Sequence, residues 1–178
     1  GDQATHHIGD ARDLSRFQGQ TFDAVLVLGP LYHLVEEIDR RLVLQQVFAL
    51  LKPGGMIFSA FISRYGILGD LMQSVPSWIE HNNDVQSVLE PGRDPEDWPR
   101  GGFRGYFATV DEIAPLHESL GFETFTLAAV EPAISADDES YNRLEGRQRQ
   151  LWLDLLFEVS TETSTLGASR HLLYVGRK

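Results

Sequence analysis

Two apolar runs of eight residues, with a helix-length segment between them, constrain the fold of this chain more than any other feature. The runs are FDAVLVLG (22–29) and MIFSAFIS (56–63), and few polar side chains interrupt them. A strand that is covered on both faces has this pattern, whereas a strand with one face in water alternates apolar and polar residues. The sequence therefore predicts two buried strands.

The segment between these runs has the composition of a crossover helix. EEIDRRLVLQQVFALL (36–51) begins with acidic residues, ends next to Lys52 and is followed by the stop signal KPGG (52–55). Acids at the amino end and a base at the carboxyl end suit the dipole of a helix. We expect one apolar stripe on this helix to contain Ile38, Leu42, Gln45, Phe48 and Leu51.

The rest of the chain continues to alternate strands and helices. His6–Gly9 is interpreted as the end of a short strand. Thr109 and Glu112 have the spacing of a capping box, which predicts a helix that closes at Gly121. A strand over 122–131, a helix over 141–159 and a strand over 169–178 are expected to follow. This order predicts an α/β fold with a mostly parallel sheet and flanking helices.

One stretch, residues 64–106, interrupts the alternation. It contains two segments with the character of short helices, 67–75 and 77–90, and PGRDPEDWPRGGFRG (91–105) has the composition of a loop. In the helix over 141–159 we expect a stripe that packs on the sheet, formed by Leu144, Leu151, Trp152, Leu155 and Leu156.

Composition excludes several classes of function. The chain has 178 residues, enough for one domain with its own core, and no apolar run near the ~18 residues that span a membrane. A net charge of −11 repels nucleic acid and favours a small or weakly charged substrate. The absence of cysteine excludes disulfides, and we expect a cytoplasmic protein. We expect no metal site, because His6 and His7 would point to opposite faces of a strand.

The motif IGDARDL (8–14) suggests a ligand contact at the end of a strand. The Asp10 carboxylate can accept a hydrogen bond from an exocyclic amine such as that of adenine, and the backbone N–H of Ala11 can meet a ring nitrogen. The alternative is that Asp10 is an ordinary turn residue or a helix cap.

The motif LGPLYHL (28–34) ends the first apolar run with a forced bend. Gly29 and Pro30 stop the strand, and Tyr32 and His33 follow immediately outside it. A ligand site at the carboxyl end of the strand explains this pattern, and His33 would then serve as a base on a substrate hydroxyl or amine. A plain turn, with His33 bonded to the backbone, is the alternative.

The order of these motifs resembles class I S-adenosylmethionine-dependent methyltransferases. GDARDL, FDAVLVLG, an amphipathic helix, LLKPGG and a further strand follow one another from Ile8 to about Ser63. GPLYHL before LLKPGG is similar to the broad bacterial branch that acts on small molecules. The resemblance implies methyl transfer to a small molecule within one methyltransferase domain over 1–178, with residues 64–106 as a cap or insert.

The resemblance also implies roles for individual residues. Asp10 and Ala11 match the adenine-binding position, and Leu28 and Gly29 match the strand end that faces the methionine part of S-adenosylmethionine. Tyr32 and His33 lie where substrate would enter and are the candidate catalytic residues. Aromatic residues of the cap, with a satellite core as the equally open alternative, are the candidate substrate contacts: Trp78, Phe103 and Tyr106.

This sequence departs from the family pattern in its N-terminal part. No G-x-G loop precedes Asp10, and no acid for the ribose hydroxyls is present there. We therefore expect a partial, N-terminally truncated domain that lacks the first two family strands and holds S-adenosylmethionine weakly or not at all. The strand over 22–29 would then be an open edge that recruits another strand, and a homodimer through this edge is expected.

Two other functions compete with methyl transfer. The chain would be a non-catalytic interaction or dimerisation module if it cannot hold the cofactor. A nicotinamide-dependent oxidoreductase is disfavoured, because its glycine fingerprint is equally absent and LLKPGG has no place in it.

Overall fold

A computed structural model describes residues 5–94, 104–131 and 138–178. Within them, five strands form one sheet in which β1 (Phe22–Val27) pairs with β2 (Leu51–Ser63). The remaining strands are β3 (Phe107–Ala108), β4 (Glu123–Ala129) and β5 (His171–Arg177). The order is β1-β2-β5-β4, with β3 beside the end of β2. This is the predicted mixed α/β fold.

The strand directions agree with a mostly parallel sheet. β1 and β3 run parallel to β2, whereas β5 runs antiparallel to both β2 and β4. Four strands therefore point the same way and only the last strand opposes them. Their carboxyl ends meet at one edge of the sheet, where α/β folds bind ligands.

The stop signal KPGG forms a bulge rather than a turn between separate elements. Phe22 lies opposite Leu51 and Ala24 lies opposite Met56, so residues 52–55 loop out of the strand pairing. Gly54 has φ 79°, a conformation that favours glycine, and a Cβ on Gly55 would come 2.9 Å from the backbone oxygen of Lys52.

Eight helices, with two short 3-10 turns at Ser15–Phe17 and Pro76–Glu80, complete the described residues. The helices, in chain order, are α1 (Pro30–His33), α2 (Glu37–Leu50), α3 (Ile67–Ser74), α4 (Asn82–Leu89), α5 (Val110–Glu118), α6 (Asp138–Asn142), α7 (Gly146–Val159) and α8 (Thr163–Leu166). The two short helices expected in the irregular region are therefore present as α3 and α4.

The capping box predicted at the start of α5 is confirmed. The backbone N–H of Thr109 donates to Glu112 at 2.8 Å, and the Thr109 side chain accepts from the backbone of the same residue. Glu112 also accepts two hydrogen bonds from Arg64, at 2.9 and 3.0 Å. The cap thus ties α5 to the carboxyl end of β2.

A histidine and a serine form a polar pair inside the main core. The fully buried ring of His117 lies 2.8 Å from the hydroxyl of Ser59, and its Nδ1 is 2.7 Å from the carbonyl oxygen of Ile113. Nδ1 must donate to that carbonyl, so Nε2 accepts from Ser59. Burial lowers the pKa of His117 to about 4, which keeps the ring neutral.

Two expectations for the first half of the chain are wrong. His6–Gly9 forms no strand in the structure, since no neighbouring strand among the described residues offers it hydrogen bonds. Of the stripe expected in α2, Leu51 is buried and Phe48 packs against the core, but Ile38 and Leu42 are exposed. The buried face of the helix consists of Arg40, Val43, Leu44 and Val47. The stripe is rotated because an arginine takes one of the core positions.

The expected helix over 141–159 is broken, and most of its stripe does not pack on the sheet. α6 ends at Asn142 and α7 begins at Gly146, whose φ is 53°. Of the expected stripe only Leu156 is buried, whereas Leu151, Trp152 and Leu155 are exposed. The broken helix turns these apolar side chains toward solvent.

Candidate functional site

The end of β1 builds the bend that the sequence predicted. Leu28 and Gly29 leave the strand, and α1 begins at Pro30. The Tyr32 hydroxyl donates back to the carbonyl oxygen of Leu28 at 3.3 Å, and the rings of Tyr32 and His33 lie 4.9 Å apart. The His33 side chain is exposed beside this turn. Four candidate site residues therefore form one compact turn at the carboxyl edge of the sheet.

Arg40 holds the far end of this turn in place. Its Nη1 donates to the carbonyl oxygens of Leu34 at 2.7 Å and Val35 at 2.8 Å. Only 5% of Arg40 is exposed, and its guanidinium carbon lies 3.5 Å from the ring centroid of Tyr106. The two carbonyl acceptors and the aromatic face compensate part of the cost of burying this cation, whose Nε is buried and has no hydrogen-bond partner among the described residues.

Tyr106 holds the same turn from the other side. Its backbone N–H donates to the carbonyl oxygen of Tyr32 at 2.9 Å, and its hydroxyl donates to Glu112 at 3.0 Å. Burial, followed by the Glu112 charge, raises the pKa of Tyr106 to about 12. Arg40 covers the ring of Tyr106 and Glu112 accepts from its hydroxyl, so Tyr106 supports the turn. Its expected contact with substrate stays a prediction.

A salt bridge extends this support to the base of the cap region. The Arg93 side chain forms an ion pair of 2.9 Å with Glu36, the residue directly before α2. The backbone of Arg93 also forms an antiparallel β-bridge with Tyr106. The buried carboxylate of Asp94 accepts from the backbone N–H of Gly105 at 2.8 Å. Burial raises the pKa of Asp94. These contacts join 93–94 and 105–106 next to the turn that carries His33.

The candidate adenine position lies in an exposed turn. The two oxygens of Asp10 accept from the backbone N–H, Nε and Nη2 of Arg12, at 2.7–3.2 Å. These hydrogen bonds lower the pKa of Asp10 to about 2, so it is a carboxylate at neutral pH. In the described part of the chain, the backbone N–H of Ala11 donates to no backbone or side-chain acceptor.

Gln46 attaches the Asp10 turn to α2. Its Oε1 accepts from the backbone N–H of Leu14 at 2.9 Å, and its Nε2 donates to the carbonyl oxygen of Arg12 at 2.8 Å. Arg12 adds a salt bridge of 3.3 Å to Asp39 on the same helix. One helix thus positions both candidate motifs, through Gln46 at the first and Arg40 at the second.

An apolar groove of about 370 Å³ lies along β1 and joins the two motifs. Ala11 lines it on one side, and Val27 and Pro30 line it at the strand end. The volume is within the range of small-molecule sites. Ala11 and Pro30 thus represent the two motifs in the groove, whereas Asp10, Leu28, Gly29, Tyr32 and His33 do not line it.

The aromatic candidates of the cap have different placements. Trp78 is 6% exposed and belongs to a second core cluster with Ile62, Val88 and Phe107. Tyr32 packs against that cluster, and the expected contact of Trp78 with substrate stays a prediction. Phe103, like Trp98, lies outside the described residues.

Sequence reasoning missed Arg40 and Gln46. Arg40 shares the buried face of α2 with Val43, Leu44 and Val47, at spacings of three, four and seven residues. An arginine in phase with an apolar stripe is a signal of a buried, hydrogen-bonded cation. Gln46 has no comparable signal, because its acceptor and donor are backbone groups more than thirty residues away.

Two further properties concern the whole described chain. None of the described helices has the length and apolar character needed to span a membrane. No group of three or more potential metal ligands comes together among the described residues.

Comparison with known proteins confirms the predicted resemblance. Residues 2–59 match the family model described as a methyltransferase domain. This match contains the Asp10 turn, β1, the bend and α2. No protein with a curated description matches the sequence significantly.

Solved structures show that the fold extends beyond the matched segment. A methyltransferase dependent on S-adenosylmethionine from Methanosarcina mazei aligns with a TM-score of 0.61 at 18% identity, over 100% of this chain and 68% of that one. CcbJ from Streptomyces caelestis gives 0.51 at 15% identity, over 96% and 62%. A related enzyme from Clostridium acetobutylicum gives 0.51 at 11%, over 96% and 63%. The chain thus has this fold and spans about two thirds of these proteins.

Proposed function

We propose that this chain, which has the fold of class I S-adenosylmethionine-dependent methyltransferases, serves methyl transfer to a small molecule. The observation that carries the proposal is the groove along β1, because Ala11 and Pro30 line it together. This groove supports a site that extends from the Asp10–Ala11 turn to the bend before Tyr32 and His33. The net charge of −11 further favours a substrate without phosphates.

The residues at the Asp10 turn suit an adenine ring. Adenine presents an exocyclic N–H donor next to a ring-nitrogen acceptor, and Asp10 and the Ala11 backbone present the opposite pair. Arg12 makes four hydrogen bonds to the carboxylate, two at each oxygen, so an adenine N–H would replace the longest of them, the 3.2 Å contact of Nε with Oδ2. S-adenosylmethionine fits this donor set.

Methyl transfer requires mainly that the protein align the methyl donor with the acceptor. The cofactor supplies a methyl group on a positively charged sulfur, from which an acceptor lone pair takes it as the carbon–sulfur bond breaks. His33 takes the proton that the acceptor hydroxyl or amine loses. Tyr32 and the contacts beneath it fix the direction in which His33 faces, which is the positioning that such a displacement requires.

Binding by the 178-residue chain alone is expected to be weak. These residues contain no glycine-rich loop before Asp10 and no ribose acid there. Each absent polar contact removes about 1 kcal/mol, so several lower the affinity by orders of magnitude. Titration calorimetry with S-adenosylmethionine measures this directly, and low-micromolar binding by the monomer would contradict it.

The reaction itself is tested by its common product. The protein is incubated with S-adenosylmethionine and separate pools of small phenols, carboxylic acids and amines, and S-adenosylhomocysteine is quantified. We expect formation above the substrate-free rate in one pool, and loss of that increase in His33→Ala. His81→Gln, an exposed histidine remote in sequence, is the matched control. Equal rates with and without every pool would oppose the proposal.

A dimerisation module is the second candidate, and the free edge of β1 favours it. In the described residues β1 pairs only with β2, and Leu26 and Leu28 are 63% and 52% exposed. A second copy of 22–29 in antiparallel register would satisfy this edge and bury its apolar side chains. Burial of 600 Å² would contribute about 15 kcal/mol before the cost of association.

Sedimentation at micromolar concentration tests this candidate. We expect Leu26→Lys to weaken self-association, because lysine on an edge strand opposes pairing. Ile38→Lys changes an equally exposed apolar residue on α2 and is the control. A monomer whose amides at 24–28 exchange rapidly with solvent would rule the pairing out.

A further inference from the structure

We propose that a second, independent face of this chain, on α7, binds a second copy of the same chain. The face consists of Leu151, Trp152 and Leu155, which are 55%, 47% and 47% exposed. The only buried residue of α7 is Leu156. The inference does not depend on methyl transfer.

The three side chains form one patch. Leu151 and Leu155 are four residues apart and therefore stack on the same side of the helix. At about 100° per residue, Leu155 points roughly 100° away from Leu156, and Leu151 points still further away. Leu151 and Leu155 therefore face away from the sheet, whereas Trp152, about 40° from the direction of Leu156, forms the border of the patch nearest the sheet. The apolar area of the patch is unusual for a surface helix.

The charges around the patch identify its partner. Arg147 precedes Leu151 by one turn, and Glu158 follows Leu155 by nearly one turn on the same edge of the patch. Both are exposed, and neither forms an ion pair within the described residues. The helix thus carries an unpaired positive end and an unpaired negative end beside one apolar patch.

A two-fold axis through the middle of the patch matches these charges. Two copies of α7 that pack antiparallel bring Leu151 of one copy against Leu155 of the other. The same arrangement sets Arg147 of each copy beside Glu158 of its partner, since like edges meet in an antiparallel pair. In a parallel pair opposite edges would meet, so Arg147 would not lie beside Glu158 of the partner. The patch is therefore self-complementary in apolar surface and in charge.

This face is separate from the edge of β1. α7 lines a groove together with Ala128 and Ala129 of β4 and Leu173 of β5. β4 is at the edge of the sheet opposite to β1, and β5 is its neighbour. The contact of one 14-residue helix with its copy is small, so the association is expected in the micromolar range.

Sedimentation equilibrium tests the inference with variants in which Arg147 or Glu158 is replaced by a residue of the opposite charge. All of these variants are made in a Leu26→Lys background. That background removes pairing through β1, and circular dichroism verifies the fold of each variant. We expect Arg147→Glu or Glu158→Arg to weaken dimerisation about tenfold, since each change affects two symmetric ion pairs. The double exchange is expected to restore it. Arg149→Glu, which makes the same charge change beside the Tyr141 ring, should leave it unaltered.

Three results would overturn the inference. They are a Leu26→Lys chain that stays monomeric at every concentration, a dimer insensitive to Arg147→Glu, and a double exchange no tighter than either single variant. Methyl transfer plays no part in these measurements, so their outcome is separate from that of the proposed function.

Discussion

The guanidinium of Arg40 lies 3.5 Å from the ring centroid of Tyr106, and the two residues hold opposite ends of the turn that carries Tyr32 and His33. Arg40 binds the carbonyls that follow the turn, whereas the Tyr106 backbone binds the carbonyl of Tyr32. The site thus depends on contacts between α2 and the residues just before β3, which are distant in sequence.

Replacement of Arg40 is expected to destabilise the protein. Arg40→Ala removes two charged hydrogen bonds and the contact with Tyr106, and should lower the free energy of unfolding by about 3 kcal/mol. Urea denaturation measures this loss. Arg41→Ala, on the same helix with an exposed ion pair, should cost less than ~1 kcal/mol. Equal losses for the two variants would contradict the role of Arg40.

The buried histidine predicts a dependence of stability on pH. Because the pKa of His117 falls from 6.5 to about 4 on folding, the unfolded chain takes up a proton between these values that the folded chain does not. The contribution is therefore present above pH 6.5 and is lost as pH falls toward 4, to a total of roughly 3 kcal/mol.

Denaturation at several pH values isolates this contribution. The double variant Ser59→Ala with His117→Phe removes the titrating ring without leaving the serine hydroxyl unpaired. We expect the free energy of unfolding of the variant to fall less steeply between pH 6.5 and 4 than that of the unaltered chain. Identical slopes would show that His117 does not titrate in this way.

The adenine position predicts a loss of cofactor affinity in Asp10→Ala. Removal of one acceptor should weaken S-adenosylhomocysteine binding by roughly 1–2 kcal/mol, measured by calorimetry on protein that binds it. Asp13→Ala removes another exposed acid of the same turn and serves as the control. An unchanged dissociation constant for Asp10→Ala would return this residue to the role of a turn residue paired with Arg12.

Tyr32 and His33 should affect turnover more than cofactor affinity. Tyr32→Phe removes the hydroxyl that donates to Leu28, and His33→Ala removes the exposed ring beside it. In an assay with a working substrate, kcat is expected to fall at least tenfold for His33→Ala, while the cofactor dissociation constant stays within about twofold. If both variants turn over normally, the two residues are not part of the site.

Sequence patterns predicted the strands and helix ends that depend on residues close to one another in the chain. β2, the start of α5 with its capping box, β4 and β5 follow from apolar runs and capping residues. The spacing of Arg40 within the apolar stripe is a local signal of its burial, whereas its contact with Tyr106, 66 residues away, has no local signal. The outward patch of α7 escaped prediction because periodicity shows an apolar side but not which side meets the sheet.

The site was predicted to a similar extent. The Asp10 turn and the bend after β1 were predicted from their residues, and one residue of each, Ala11 and Pro30, lines the groove along β1. Their role in cofactor binding stays a prediction. The roles of the aromatic residues were harder to predict, since Trp78 and Tyr106 are buried in the two core clusters and their contact with substrate stays a prediction. An aromatic side chain in an irregular region has the same sequence signature whether it faces a ligand or packs beneath one.

The central claim, that the groove beside β1 receives S-adenosylmethionine, is tested most directly by amide chemical shifts in a titration with S-adenosylhomocysteine. This measurement detects weak binding by the 178-residue chain. We predict saturable shifts at residues 9–14 and 28–33, reduced in Asp10→Ala and absent with NADH. Shifts confined to other regions, or none at millimolar ligand, would contradict the account.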